Sequence, residues 1–212
     1  NSYFADGNLM PYADRTPAPI HYYLNHNFPA EMMGAAQEVA AEWNGVFKRT
    51  VASLQGKSVD DASIPDMFQL HVNSCTRDAV MSYLMDRPEL LATVRATVYP
   101  RESDRFTPSG AEGTTGTLMT EETVVNFCAA TEYHTRGLED AFTWQQVGDP
   151  RVNMLAWIPN VIRASWSGYG PMLAQPVTGR NVDSTAYLMG WTVNSSAQRA
   201  VEYVEYINGD IT

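Results

Sequence analysis

Ile20-His21-Tyr22-Tyr23-Leu24-Asn25, then Asn27-Phe28-Pro29, then Ala30 through Leu54: this stretch decides the fold. Ile20, Tyr22 and Leu24 alternate with His21, Tyr23 and Asn25, the two-residue period of a strand with one buried face. From Ala30 the period changes. Met32, Met33, Ala36, Val39, Ala40, Trp43, Val46, Phe47, Val51 and Leu54 recur at spacings of three and four, one wide helical stripe. Pro29 sits near the first turn, where its missing N–H costs nothing, and Gly56 is placed to end the helix. A short strand turning into a long helix is the opening of a sheet-and-helix layered domain.

Working outward, Met67 to Val72 alternates again, with Phe68, Leu70 and Val72 on one face, and predicts a second strand. Thr76 to Val98 predicts one or two helices, interrupted near Arg87-Pro88 because proline disfavours helix just before it. Residues 100–119 are dense in Pro, Gly, Ser and Thr and predict a loop. Thr120-Glu121-Glu122-Thr123 opens a further helix to about Arg136, its acidic first turn suiting the helix dipole. Val152–Ile158, Ala164 to about Leu173, and Asp183–Trp191 predict strands, the last two separated by the turn Gln175-Pro176-Val177-Thr178-Gly179. Asn194-Ser195-Ser196 is expected to cap a final helix with Ala197, Ala200, Val201, Val204 and Ile207 facing inward, stopped by Asn208-Gly209. The expectation is an α/β (α+β) fold. It has a mixed sheet of about five strands, a long helix packed across it, and additional helices. Residues 1–18, marked by Pro11 and Pro17, read as an extended arm. Residues 19–212 read as a single domain with a helical and loop insertion at about 75–147.

Composition narrows the function. The 212 residues are 44% hydrophobic and 18% charged, the balance of a folded globule. A net charge of −10 argues against nucleic acid and anionic membrane surfaces as partners. No run of about 18 apolar residues occurs, so no transmembrane helix is expected. No signal peptide is visible, and the chain opens on Asn1, which reads as a processed or excised piece of something longer. Cys75 and Cys128 permit one disulfide in an extracytoplasmic protein; two buried thiols are the other reading.

Pro19-Ile20-His21-Tyr22-Tyr23, with Glu42-Trp43-Asn44 and Phe47, resembles the opening of zincin-like metallopeptidase-related proteins secreted by bacteria. Gly148-Asp149-Pro150-Arg151-Val152-Asn153-Met154-Leu155, followed by Gly168-Tyr169-Gly170-Pro171 and Pro176-Val177-Thr178-Gly179, looks like that family's strand–strand–turn block. The resemblance covers about half of the chain. It implies a zincin-like domain in which the strand at Gly168, Tyr169, Gly170 and Pro171 is the sheet edge that holds an extended substrate or partner; the residues by themselves read more simply as a kink in the sheet, since glycine in a strand often marks a bend. The sequence departs from the family where chemistry is made. The family's turn reads Asp-Pro-x-Thr-Gly-Glu, and here Gln175 and Arg180 stand in place of its acids. No His-Glu-x-x-His occurs, and the chain reaches Thr212 without a zinc-binding helix.

The remaining chemistry-bearing residues have plainer readings. Hydrolytic zinc needs three protein ligands and an open position, and the helical His pair works because both rings share one face. The histidines are His21, His26, His71 and His134, none in such a pair, and they read as surface or strand-lining residues. Glu42-Trp43-Asn44 places an acid beside an aromatic, but Trp43 falls on the apolar stripe, and Asn44 is expected to bond a neighbouring loop. Ser165, Ser167 and Asp183 define no Ser/His/Asp arrangement. Asp60-Asp61 and Glu121-Glu122 read as solvated charges. No catalytic residue, metal ligand or cofactor is therefore expected in this chain, zinc entering only if a catalytic half exists elsewhere. The reading is a non-catalytic or incomplete domain of a larger secreted or surface protein, a pseudoenzyme scaffold that binds a peptide or protein partner. The alternative is the substrate-side portion of an active zinc metalloprotease. A weaker third reading is carbohydrate binding through Tyr22, Tyr23, Trp166 and Tyr169.

Overall fold

The computed structural model describes residues 4–5, 8–99, 121–160, 166–177, 179 and 181–211. In chain order its elements are β1 (Phe4–Ala5), β2 (Asn8–Leu9), β3 (Ile20–Leu24), α1 (Met33–Gln55), β4 (Phe68–His71), α2 (Arg77–Met85), α3 (Pro88–Val98), α4 (Glu121–Thr135), β5 (Asn153–Ile158), β6 (Gly168–Tyr169), β7 (Met172–Ala174), β8 (Asn181–Ser184), β9 (Ala186–Met189) and α5 (Gly190–Asn208). The fold is α+β and divides into two compact units. A sheet unit takes Asn1–Leu24, Phe28–His71 and Pro150–Thr212; a helical unit takes Asn25–Asn27 and Val72–Asp149.

The five-stranded sheet is mixed, in the order β4-β3-β5-β9-β6. β3 runs parallel to β4 and β5, with Tyr22 opposite Leu70 on one side and Asn153 on the other. β5 runs parallel to β9, and β6 returns antiparallel at the edge. Parallel neighbours require a crossover, and α1 supplies it between β3 and β4. Its entrance is a 3-10 turn, Ala30–Met32, preceded by Pro29. Its exit is Gly56 at φ +64°, with the Lys57 N–H returning to the Ala52 carbonyl at 2.9 Å. That left-handed position suits a residue without Cβ.

The apolar stripe of α1 is wider than the surface it covers. Burial falls on Ala36, Ala40 and Ala52, and Phe47 stacks on Phe68 at 6.3 Å. Ala52 joins Ile64 and Met67 in a small core. Trp43, expected inside, is 50% exposed and lies against Phe47 at 5.6 Å. In the segment expected as an arm, β1 and β2 pair as a short ribbon and Tyr12–Asp14 makes a 3-10 turn. The Gln55 side chain donates to the Arg15 carbonyl at 2.9 Å, tying this segment to the end of α1.

The C-terminal third corrects three expectations. The strand expected from Ala164 to Leu173 is two strands with different partners: β6 pairs with β9, and β7 pairs with β8. Gly170-Pro171 separates them, since proline has no N–H for a ladder. Residues 161–165 lie outside the described part. The strand expected over Asp183–Trp191 is likewise divided, β8 ending at Ser184 and β9 running Ala186–Met189, and α5 begins at once with Gly190. Ser195 caps nothing there; its hydroxyl donates back to the Thr192 carbonyl at 3.2 Å, a bond internal to the helix. Finally, Ala197, Ala200, Val201, Val204 and Ile207 of α5 are all exposed rather than inward.

The helical unit has its own core: Val80, Leu84, Val94, Phe127, Ala130, Phe142 and Trp144, with Cys75 and Cys128 among them. The Thr76 hydroxyl accepts the Ala79 N–H at 3.1 Å and starts α2. Pro88 opens α3, where its fixed φ fits. The buried Thr135 hydroxyl donates to the Thr131 carbonyl at 2.8 Å and accepts the Phe142 N–H at 3.0 Å, fastening the chain that leaves α4. The loop expected at 100–119 lies outside the described residues.

Candidate functional site

The edge strand is built by pairing on one side only. The Met189 N–H donates to the Ser167 carbonyl at 2.9 Å, and Gly168 lies opposite Leu188. Antiparallel pairs alternate between bonded and non-bonded positions. Ser167 and Tyr169 therefore bond inward to β9, while the N–H and carbonyl of Gly168 turn outward. A Cβ on Gly168 would come within 3.3 Å of the Tyr187 carbonyl oxygen, so the close approach of the two backbones favours glycine. Trp166 meets Tyr169 edge-on at 5.2 Å, and Tyr169 stacks on Tyr187 at 6.5 Å. Trp166 and Tyr169 are both exposed, as are Met172 and Leu173 beyond Gly170-Pro171.

Asn153 braces the middle of the sheet. Its Nδ2 donates to the His21 carbonyl at 3.1 Å, and its Oδ1 accepts the Ser184 N–H at 3.1 Å. Tyr22 donates its hydroxyl to Ser184 Oγ at 2.8 Å and stacks on Phe68 at 5.0 Å. Tyr22 and Tyr23 are thus half-buried members of the β3–β4 region, whereas Trp166 and Tyr169 sit together at the opposite edge.

Two histidines that sequence reasoning kept apart meet. His21 Nδ1 lies 3.0 Å from His71 Nε2, and their rings stack at 5.3 Å. Tyr23 also stacks on the His71 ring, at 5.0 Å between centroids. Burial, then the neighbouring His21, holds the His71 imidazole below the ordinary histidine range. The signal was one of parity: both fall on the side of their strands away from Tyr22 and Leu70. The partnership of β3 with β4, which brings them together, is not written in either strand. His26 and His134 belong to the helical unit, His26 edge-on to Trp144 at 6.2 Å and His134 Nε2 2.8 Å from the Thr97 hydroxyl.

Asn44 does bond a neighbour. Its Nδ2 donates to Asp66 at 2.9 Å, and its Oδ1 accepts the Met67 and Phe68 N–H groups. Asp66 also pairs with Lys48 at 3.5 Å. The Asn44 bond, then the Lys48 charge, holds the Asp66 carboxyl below its ordinary range. Asp61 is lowered by its hydrogen bonds from Ser63. Cys75 and Cys128 are joined in a disulfide, with Cα atoms 5.9 Å apart. Among the described residues, no three or more His, Cys, Asp or Glu side chains group to hold a metal ion, and no helix is long and apolar enough to cross a membrane. Comparison with known proteins finds no family model, curated protein or solved structure that matches this chain.

Proposed function

We propose that this chain is a scaffold of zincin-like descent from a secreted or surface protein, which receives an extended peptide or a partner's strand along β6. One observation carries the reading: β6 is the antiparallel last strand of the sheet, with the Gly168 backbone turned outward and exposed Trp166 and Tyr169 beside it. Strand addition draws affinity from such free main-chain groups and specificity from adjacent side chains. The apolar residues exposed on α5, Val201, Val204 and Ile207, suit a module that works within a larger assembly. A disulfide in the helical unit suits an oxidising compartment outside the cytoplasm.

The test is to pan a peptide library displayed on phage against the purified chain and map the selected peptides by amide chemical shifts. The expected result is perturbation centred on Gly168 and Gly170, and loss of binding in Trp166→Ala without loss of stability. Peptides that perturb only other surfaces, or no enrichment, would overturn the reading. The alternative, the substrate-side portion of a zinc metalloprotease, uses the same edge. It is distinguished by chelator-sensitive peptidase activity in a gene product that carries a His-Glu-x-x-His segment outside these residues. Tyr169→Pro is a poor probe of either reading, because the Tyr169 N–H faces β9.

A further inference from the structure

We propose that His21 and His71 together form a two-imidazole site for a late first-row divalent cation of the copper(II) and nickel(II) class. The site is separate from the β6 edge and does not depend on the reading of that edge.

The facing atoms are His21 Nδ1 and His71 Nε2, 3.0 Å apart. A neutral imidazole carries one proton and one bare nitrogen. With the protons on Nε2 of His21 and Nδ1 of His71, both facing nitrogens are bare, and a cation seated beside them can draw on both lone pairs. Metal–nitrogen bonds of about 2.0–2.1 Å that meet at roughly a right angle span about 2.9 Å, close to the observed separation. A tetrahedral angle would need roughly 3.3–3.4 Å with the same bonds. The spacing therefore suits adjacent corners of a square-planar or tetragonal ion better than tetrahedral zinc.

The setting favours such an ion. β3 and β4 are paired in fixed register, Tyr23 opposite His71 and His21 opposite Gln69, so both ligands rise from a hydrogen-bonded ladder rather than from loops. Tyr23 stacks on His71 and restrains its ring. His21 is exposed and gives the ion a way in. Two protein ligands leave the other positions to water or to a small ligand, so the site is exchangeable and unlike the three-ligand centre of hydrolytic zinc.

The probe is copper(II) sulfate added to the whole chain at neutral pH, followed by calorimetry and electron paramagnetic resonance. One equivalent is expected, with hyperfine structure from two equatorial nitrogens. His21→Gln and His71→Gln should each weaken that equivalent by at least about 10-fold, the lower bound for disturbing even a ligand's support. His134→Gln, in the other unit, should leave it unchanged. Should His71→Gln lose its far-UV dichroism, His21→Gln decides alone, because that side chain is exposed. Copper bound as tightly by His21→Gln as by the parent, or no stoichiometric copper at all, would overturn the proposal. The pair would then be an N–H···N hydrogen bond and nothing more.

Discussion

The Asn44 side-chain oxygen, in the middle of α1, accepts the Met67 backbone N–H at 2.7 Å, and it reaches the Phe68 N–H at 3.2 Å. The Met67 carbonyl in turn accepts the Ile20 N–H at 2.8 Å. One helix residue thereby fixes where β4 begins beside β3. Asn44→Ala leaves two backbone donors without that acceptor and is expected to cost about 1–3 kcal/mol, read as a lower urea midpoint. Glu42→Ala, an exposed change one turn-face away, should move stability by less than about 0.5 kcal/mol. Equal losses in the two variants would mean that Asn44 does not organise the strand.

The same asparagine sets a pH dependence through Asp66. Its hydrogen bond to the carboxylate, with the Lys48 charge behind it, lowers the Asp66 pKa in the folded chain from 3.8. Between that lowered value and 3.8 the unfolded chain binds the proton and the folded chain does not, so stability rises with pH across this window. The contribution is complete above the carboxylate range and is lost as pH falls through it. Asp66→Asn should therefore lose less stability than the parent in denaturant titrations between about pH 5 and pH 3, on either side of the ordinary aspartate pKa. Parallel loss in both proteins would contradict the role given to Asp66.

How far the sequence could be read follows from these particulars. β3 and α1 were legible because a change of period from two to between three and four coincides with Pro29, and Gly56 marks the exit. Arg87-Pro88 marked the break between α2 and α3, but the sequence left open whether Thr76–Val98 holds one helix or two. Periodicity tells which residues share a face, but not how much of that face a neighbour covers. Trp43 and the Val201–Val204–Ile207 row were placed inside on that ground, and both are exposed. Strand partnership is non-local, so neither the division of 164–173 between two partners nor the meeting of His21 with His71 was written in any one segment. The outward turn of Gly168 needed the pairing of Ser167 with Met189 to be known first.

The Cys75–Cys128 disulfide links residues 53 positions apart and joins the entrance of α2 to α4. Both residues lie in the core of the helical unit. In the chain-entropy account, a loop of this size restricts the unfolded state by about 4 kcal/mol. Cys75→Ala with Cys128→Ala should lower the melting temperature and open the helical unit to proteolysis before the sheet unit. Limited proteolysis with mass spectrometry reads the order. First cleavage within α1 or β5 would show that the bridge does not set the unit's stability.

Gly190 and Gly45 should respond oppositely to the same methyl group. Gly190 is buried at the junction of β9 and α5, and a Cβ there would stand 2.5 Å from the Trp157 ring. The indole cannot simply retreat, because Trp157 is itself buried and meets Phe28 edge-on at 6.3 Å. Gly190→Ala must displace the ring or the start of α5, an overpacking cost of about 1–3 kcal/mol. At Gly45, inside α1, the nearest atom to a new Cβ is the end of the Arg49 side chain at 3.4 Å, which can swing away. Alanine there removes glycine's helix penalty and should stabilise by up to about 1 kcal/mol. Opposite shifts in denaturation midpoint would place the close contact at the β9–α5 junction, and stabilisation by Gly190→Ala would mean that α5 does not start against Trp157.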